Sequence, residues 1–121
     1  MTTYTKNHKK YKRSEAGKVS AKRYAKKHTE RIKLYKRNYR LLKTYGITLE
    51  DYDVLYEKQN GVCAICGLPE ITLRLQVDHC HATGKIRGLL CLYCNNVIGK
   101  ANDDTVILKK AIKYLEASRQ R

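Results

Sequence analysis

The sequence has no tryptophan and no phenylalanine, and a single proline and a single methionine in 121 residues. A core built without Trp or Phe is small and aliphatic, with tyrosine supplying area and a polar tip. Acidic residues are scarce too: eleven Asp and Glu stand against 26 Lys and Arg, for a formal net charge of +15. No apolar run approaches the roughly 20 residues that span a bilayer. The opening Met1-Thr2-Thr3-Tyr4-Thr5-Lys6 lacks the apolar region of a signal peptide. Membrane and secreted classes are disfavoured, and a cytoplasmic protein is expected. The length suits one small domain with an appendage, since domains run typically about 100–150 residues.

What is present is ten tyrosines, five cysteines and an uneven charge. Residues 1–45 hold sixteen Lys and Arg against Glu15 and Glu30, whereas residues 46–121 hold ten against nine acids. A basic arm (1–45) therefore precedes a nearly neutral domain (46–121). A solvated tail would account for the charge and nothing more. A polyanion accounts for it better, because dense basic segments gain affinity by releasing counterions from phosphates. An anionic membrane surface would attract the same charge. However, the apolar face of the arm is mostly tyrosine with little Leu, which argues against insertion.

Residues 18–45 contain no Pro and no Gly, which predicts a helix. Ala21, Tyr24, His28, Ile32, Tyr35, Tyr39 and Leu42 recur every three or four residues and form one face of it. At 1.5 Å per residue the helix would reach about 40 Å. The stripe needs a cover, either the domain behind it or a second copy, and a homodimer is preferred. His28 reads as a packing residue within that stripe. On the remaining circumference, Lys22, Arg23, Lys26, Lys27, Arg31, Lys36, Arg37 and Arg40 are candidate DNA contacts. Residues 5–17 have weaker periodicity and are expected to order only on a partner.

Gly46 is placed as a helix C-cap. Thr48 with Asp51 resembles a capping box for a helix burying Leu49, Tyr52, Leu55 and Tyr56, closed by Asn60-Gly61. Leu73, Leu75 and Val77 alternate with Arg74 and Gln76 as in a half-buried strand, and residues 86–90 read as a second. Asp103 or Asp104 caps a C-terminal helix whose Leu108, Ala111, Ile112 and Leu115 share a face.

Cys63-Ala64-Ile65-Cys66 and Cys91-Leu92-Tyr93-Cys94 are two C-x-x-C pairs 24 residues apart. That spacing lets four thiolates close on one tetrahedral ion, a structural Zn²⁺ with no open position. A disulfide framework is disfavoured in a chain without export features. A thioredoxin-like redox pair lacks its βαβ surroundings. The ion would also answer a size problem, since about 60 residues bury too little apolar surface to be comfortably stable alone. Cys80, the fifth, reads as a small buried residue.

Between the pairs lie Asp78, His79 and His81, and Asn95-Asn96 follows the second pair directly. Carboxylate and amide oxygens suit Mg²⁺ or Mn²⁺. Imidazole accepts protons from water near neutral pH. Metal, base and basic surface together suggest phosphodiester hydrolysis. The residues alone leave other roles open: Asp78 capping a turn, the histidines ligating zinc or lying on the surface.

The string DHCHATGKIRGLLCLYCN over residues 78–95, with Cys63 and Cys66 before it and Gly99 after it, resembles the phage recombination endonuclease VII family of HNH, or His-Me finger, nucleases. The resemblance covers residues 60–115. It implies a small α+β protein: a ββα-metal core braced by zinc on Cys63, Cys66, Cys91 and Cys94, with the helical arm before it and a helix after it. It further implies Asp78 and Asn95 as ligands of the catalytic Mg²⁺ (or Mn²⁺), His79 as general base, and His81 beside the site. Lys85 and Arg87 would offset phosphate charge, and Asn96 has a local structural role. A strictly regular strand points Asp78 and His79 to opposite faces, so the strand must end or twist there. Some members carry an acidic residue three positions beyond the Asn, where this sequence has Ile98.

The leading reading is a metal-dependent DNA endonuclease, a phage protein in the host cytoplasm, cutting branched or duplex DNA. Two alternatives stand beside it: a non-catalytic zinc module that binds nucleic acid, and a duplex-nicking HNH enzyme without junction preference. No delivery partner and no base-reading element is identifiable.

Overall fold

Ser14 and His28 divide the basic arm into three helices in the computed structural model, which describes residues 3–119. These are α1 (Thr3–Arg13), α2 (Glu15–Lys27) and α3 (Thr29–Tyr45). Ser14 turns to extended backbone, and its hydroxyl oxygen accepts from the Gly17 amide at 3.1 Å, capping α2. Gly17 is required by close approach, because a β-carbon there would collide with the Tyr11 carbonyl oxygen. Residues 5–17, expected to order only on a partner, are thus largely helical. The uninterrupted helix expected over residues 18–45 is broken at His28 (φ −117°, ψ 24°). Thr29 supplies the cause: its hydroxyl donates back to the Ala25 carbonyl at 2.8 Å, a bond that bends helices.

Gly46, at φ 71°, ends α3 in the left-handed conformation with its N–H on the Leu42 carbonyl. Helix α4 (Leu49–Lys58) starts on the expected capping box: the Asp51 amide donates to the Thr48 hydroxyl, and the Thr48 amide donates to the Asp51 carboxylate. Tyr52 is its buried residue, Leu49 and Leu55 are half-buried, and Tyr56 is exposed.

Strands β1 (Gln76–His79) and β2 (Ile86–Leu90) form one antiparallel pair. The first strand begins later than the alternation predicted: Leu75 and Val77 are buried, but Leu73 is 53% exposed and lies in a bend. Gln76 pairs with Leu90, Val77 with Leu89 and Asp78 with Gly88. The register then slips, so that His79 pairs with Ile86. Helix α5 (Leu92–Lys100) follows β2 immediately, and α6 (Thr105–Arg119) closes the described chain. Asp104, rather than Asp103, caps α6 by accepting from the amides of Val106 and Ile107.

The core is small, as the composition requires. Leu41, Tyr52, Cys63, Leu75, Val77, Leu89, Leu90 and Cys91 form it, with Tyr45, Ile47, Leu49, Leu55, Ile86, Cys94 and Ile98 packed around. Tyr52 places its polar tip on the Leu75 carbonyl at 2.6 Å. Charge sets the end of the arm at residue 45, yet Leu41 and Tyr45 belong to this core, and Asn38 accepts the Leu49 amide through its side-chain oxygen. The tyrosine stripe stays uncovered: Tyr24, Tyr35, Tyr39 and Leu42 are exposed. On α6, Leu108 is half-buried and Ala111, Ile112 and Leu115 are exposed. No helix among the described residues is long and apolar enough to cross a membrane.

Candidate active site

Both cysteine pairs sit where the chain changes direction. Cys63 lies in the loop after α4, with its amide on the Leu68 carbonyl and the Gly67 amide returning to its own carbonyl. Cys91 is the N-cap of α5, its sulfur accepting from the Cys94 amide at 3.5 Å. The Ala64 amide binds the Leu89 carbonyl and ties the first pair to β2. The four Sγ atoms all lie within 4.8 Å of one another, with Cys66 and Cys91 at 3.9 Å. A tetrahedral zinc with bonds of about 2.3 Å places its sulfurs about 3.8 Å apart, so the donor set fits that ion. Burial opposes a thiolate at Cys63, but amide hydrogens from Cys66, Cys91 and Ile65 more than offset it and hold the thiol down at about 6. Burial and the three neighbouring thiols push Cys94 up to about 12. Four thiols crowded this way are each other's obstacle to ionisation, and a divalent cation removes it. Cys80 stands outside the cluster, half-buried in the β1–β2 turn, its thiol lowered by the Thr83 hydroxyl and amide.

The register slip produces the second site. Arg87 is the extra residue between the Asp78–Gly88 and His79–Ile86 pairs. Such a bulge bends and re-aims a strand. Asp78 and His79, adjacent in β1, therefore both line one cleft of about 420 Å³, together with Tyr45, Val77, His81, Asn95, Asn96, Gly99 and Lys100. The His79 ring lies edge-on to Tyr45 at 5.4 Å and to His81 at 4.9 Å, centroid to centroid. The Asn95 amide nitrogen donates to Gln76 Oε1 at 2.8 Å, which leaves Oδ1 as the atom free for a cation. Asp78 and Asn95 thus present hard oxygens to one cleft, a set that fits Mg²⁺ or Mn²⁺. Ile98 turns into the core instead.

Asp78 is 8% exposed, and its partner is Arg87: Nε donates to Oδ2 at 2.7 Å and Nη2 to Oδ1 at 2.9 Å. These contacts, then those to Asp103, raise the guanidinium pKa further. Asp103 carries a role that capping logic missed. Its carboxylate meets Arg87 Nη2 at 3.3 Å and His81 Nδ1 at 3.4 Å, and Arg87 holds it below the usual carboxylate range. The tandem Asp103-Asp104 is the signal, because one residue suffices to cap a helix. Tyr45 was signalled by a second spacing, Asn38–Leu41–Tyr45, that the tyrosine stripe overshadowed.

The basic candidates remain dispersed. Lys22, Arg23, Lys26 and Lys27 on α2, and Arg31, Lys36 and Arg40 on α3, are exposed, as is Lys85 ahead of β2. Arg37 lies 4.6 Å over the Tyr52 ring. With Lys33, Lys36, Arg40 and Arg74 it lines a second cleft of about 420 Å³, which also takes in Glu30 and Leu34. Burial, then the like charge of Arg74, lowers the Arg37 guanidinium.

Residues 38–117 match the family model of recombination endonuclease VII. The chain belongs to the recombination endonuclease VII family. The match begins at Asn38, where α3 starts to contribute to the core. Gene 59 protein of Mycobacterium phage D29 is 50% identical over 78 residues, covering 63% of this chain and 47% of that protein. Gene 59 protein of Mycobacterium phage L5 is 49% identical over 78 residues, covering 63% and 48%. The chain thus spans about half the length of these curated relatives. No solved structure matches it. The family is one of nucleases, and both phage relatives align over a segment of the length that holds the cysteines and the cleft.

Proposed function

We propose that this member of the family is a metal-dependent DNA endonuclease that hydrolyses phosphodiester bonds in branched, Holliday-junction-like, or duplex DNA. The observation that carries the reading is the register slip between Asp78 and His79, which turns a would-be ligand and a would-be base into one cleft with His81 and Asn95. The hairpin running directly into α5 supports a ββα-metal, His-Me finger core. A Mg²⁺ or Mn²⁺ ion held by Asp78 and Asn95 supplies charge neutralisation at the phosphate and stabilises the leaving 3′ oxygen. His79 takes the proton of the attacking water, its ring braced by Tyr45 and His81. His81 and Lys85 face the phosphate, and Arg87 offsets its charge. The four cysteines hold a structural Zn²⁺ that fixes the loop before β1 to the start of α5. The arm supplies phosphate affinity, and its uncovered tyrosine stripe on α3 joins two copies as a homodimer, in the host cytoplasm.

One observation favours a second reading. Arg87 already forks onto Asp78, and such a clasp would suit a non-catalytic zinc module that binds nucleic acid. Cleavage of a four-way junction and its matched linear duplex, in Mg²⁺ or EDTA, with wild type and His79→Ala, separates the readings. Metal-dependent cutting lost in His79→Ala, with DNA binding retained, is expected. Tight binding with no cutting by wild type would leave the module. Equal cutting of both substrates would leave a duplex-nicking enzyme without junction preference.

A further inference from the structure

The turn between α5 and α6 holds a carboxylate that neither the metal reading nor helix capping uses. Asn102 and Asp103 occupy consecutive left-handed positions, φ 52° and 57°, a conformation that glycine adopts with least strain. Asp104 already satisfies the first amides of α6. What an aspartate adds at 103 is its side chain. The Asp103 amide is fixed on the Ile98 carbonyl at 3.0 Å, and its carboxylate stands between Arg87 and His81.

Arg87 cannot serve Asp78 as now placed and leave that carboxylate to a cation, because both oxygens are taken, at 2.7 and 2.9 Å. A divalent ion must displace the guanidinium and would then repel it. Arg87 Nη2 already has both Asp103 oxygens at 3.3 Å. The transfer from one carboxylate to the other therefore needs only a small rotation about the end of the side chain.

We propose that Asp103 is a positioning residue: it is the second anchor of Arg87, which keeps the guanidinium at the rim of the cleft when a divalent ion claims Asp78. The inference rests on the reading of Asp78 as a metal ligand. Asp103 lowers the cost of yielding Asp78, and it leaves Arg87 directed at a phosphate instead of released to solvent. His81, on the other side of the same carboxylate, is steadied by the same residue.

The test is Mn²⁺ uptake by the full chain loaded with one equivalent of Zn²⁺, read from the electron paramagnetic resonance signal of free Mn²⁺. Wild type, Asp103→Asn, Arg87→Gln, the double variant and Asp78→Asn are compared, each checked by thermal melting. Asp103→Asn is expected to weaken Mn²⁺ about fivefold, because Arg87 then has Asp78 as its one charged partner. Arg87→Gln is expected to tighten Mn²⁺ by about as much while slowing cleavage at saturating metal, opposite signs that a merely structural role would not give. The double variant should bind like Arg87→Gln alone. A penalty for Asp103→Asn that persists undiminished without Arg87 would overturn the proposal, as would unchanged affinity in Asp103→Asn. Uptake lost in Asp78→Asn supports the underlying metal reading independently. No uptake by wild type would overturn that reading and the proposal with it.

Discussion

The side chain of Gln59 makes both backbone hydrogen bonds of Leu89: Oε1 accepts from its amide at 2.8 Å and Nε2 donates to its carbonyl at 2.9 Å. One residue at the end of α4 thus does for the outer edge of β2 what a third strand would do. The sheet has only two strands, and Leu89 is fully buried, so this edge has no access to water for compensation. Gly88 belongs to the same arrangement, since a β-carbon there would stand 3.1 Å from Gln59 Oε1.

Gln59→Leu is therefore expected to lower stability by about 2 kcal/mol, the cost of a buried amide left without a partner. The Leu89 carbonyl keeps its bond from the Ala64 amide and limits the loss. Urea denaturation of the zinc-loaded chain measures it. A midpoint equal to that of wild type would show that water reaches the edge.

The cysteine cluster makes a sharper prediction. With eight buried apolar residues as its core, the domain depends on the cross-link between the loop after α4 and the start of α5. Chelation, or Cys63→Ser, is expected to abolish the cooperative melt, whereas Cys80→Ser, outside the cluster, should melt within a few degrees of wild type. Circular dichroism against temperature, with zinc released into a chromogenic chelator, checks both. A normal transition for Cys63→Ser would remove the structural role from the ion.

Local chemistry made much of this legible in the sequence. The Thr48–Asp51 box, the Gly46 cap, the second strand and the C-x-x-C pairs depend on neighbours within a few residues, and each stands where spacing put it. The required twist between Asp78 and His79 followed from strand geometry, and the slip occurs there. What was not legible depends on contacts across the chain. The break at His28 comes from one hydroxyl back-bond, Leu73 loses its strand because nothing covers it, and Asp103 meets Arg87 only after α5 has turned. Composition divided the chain at residue 45 because charge changes there, but Leu41 and Tyr45 answer to packing.

Stability should respond to acid in a way that singles out the α4 cap. The Asp51 carboxyl is held below its usual range, chiefly by the Thr48 amide and then its hydroxyl. A carboxyl lowered on folding stabilises fully above its unfolded value, near pH 4, and loses that contribution as pH falls through the lower folded value. The zinc thiolates also take up protons in acid, so the comparison must be differential. Asp51→Asn is expected to be less stable than wild type at pH 7, with the gap closing by about pH 2. Urea midpoints across that range measure it; a gap independent of pH would assign the cap to the Thr48 hydroxyl alone.

The arm divides into a part that binds and a part that folds, and two deletions should separate them. Residues 1–27 carry ten Lys and Arg against Glu15, and none of them enters the core. Removing them is expected to leave the melting temperature nearly unchanged while weakening DNA binding. The slope of log affinity against log salt should become shallower by about 3, as each lost phosphate contact takes about 0.9 from it on duplex DNA. Removing residues 1–45 takes Leu41 and Tyr45 from the core, the Arg37 guanidinium from the Tyr52 ring and the Asn38 acceptor from the Leu49 amide. That chain should melt well below the shorter deletion and lose cleavage even at low salt, where binding is strongest. Fluorescence anisotropy over a salt series, beside thermal melts, distinguishes the two effects. An unchanged salt slope in the shorter deletion would take α1 and α2 off the phosphate backbone. A normal melt in the longer one would return the end of α3 to the arm.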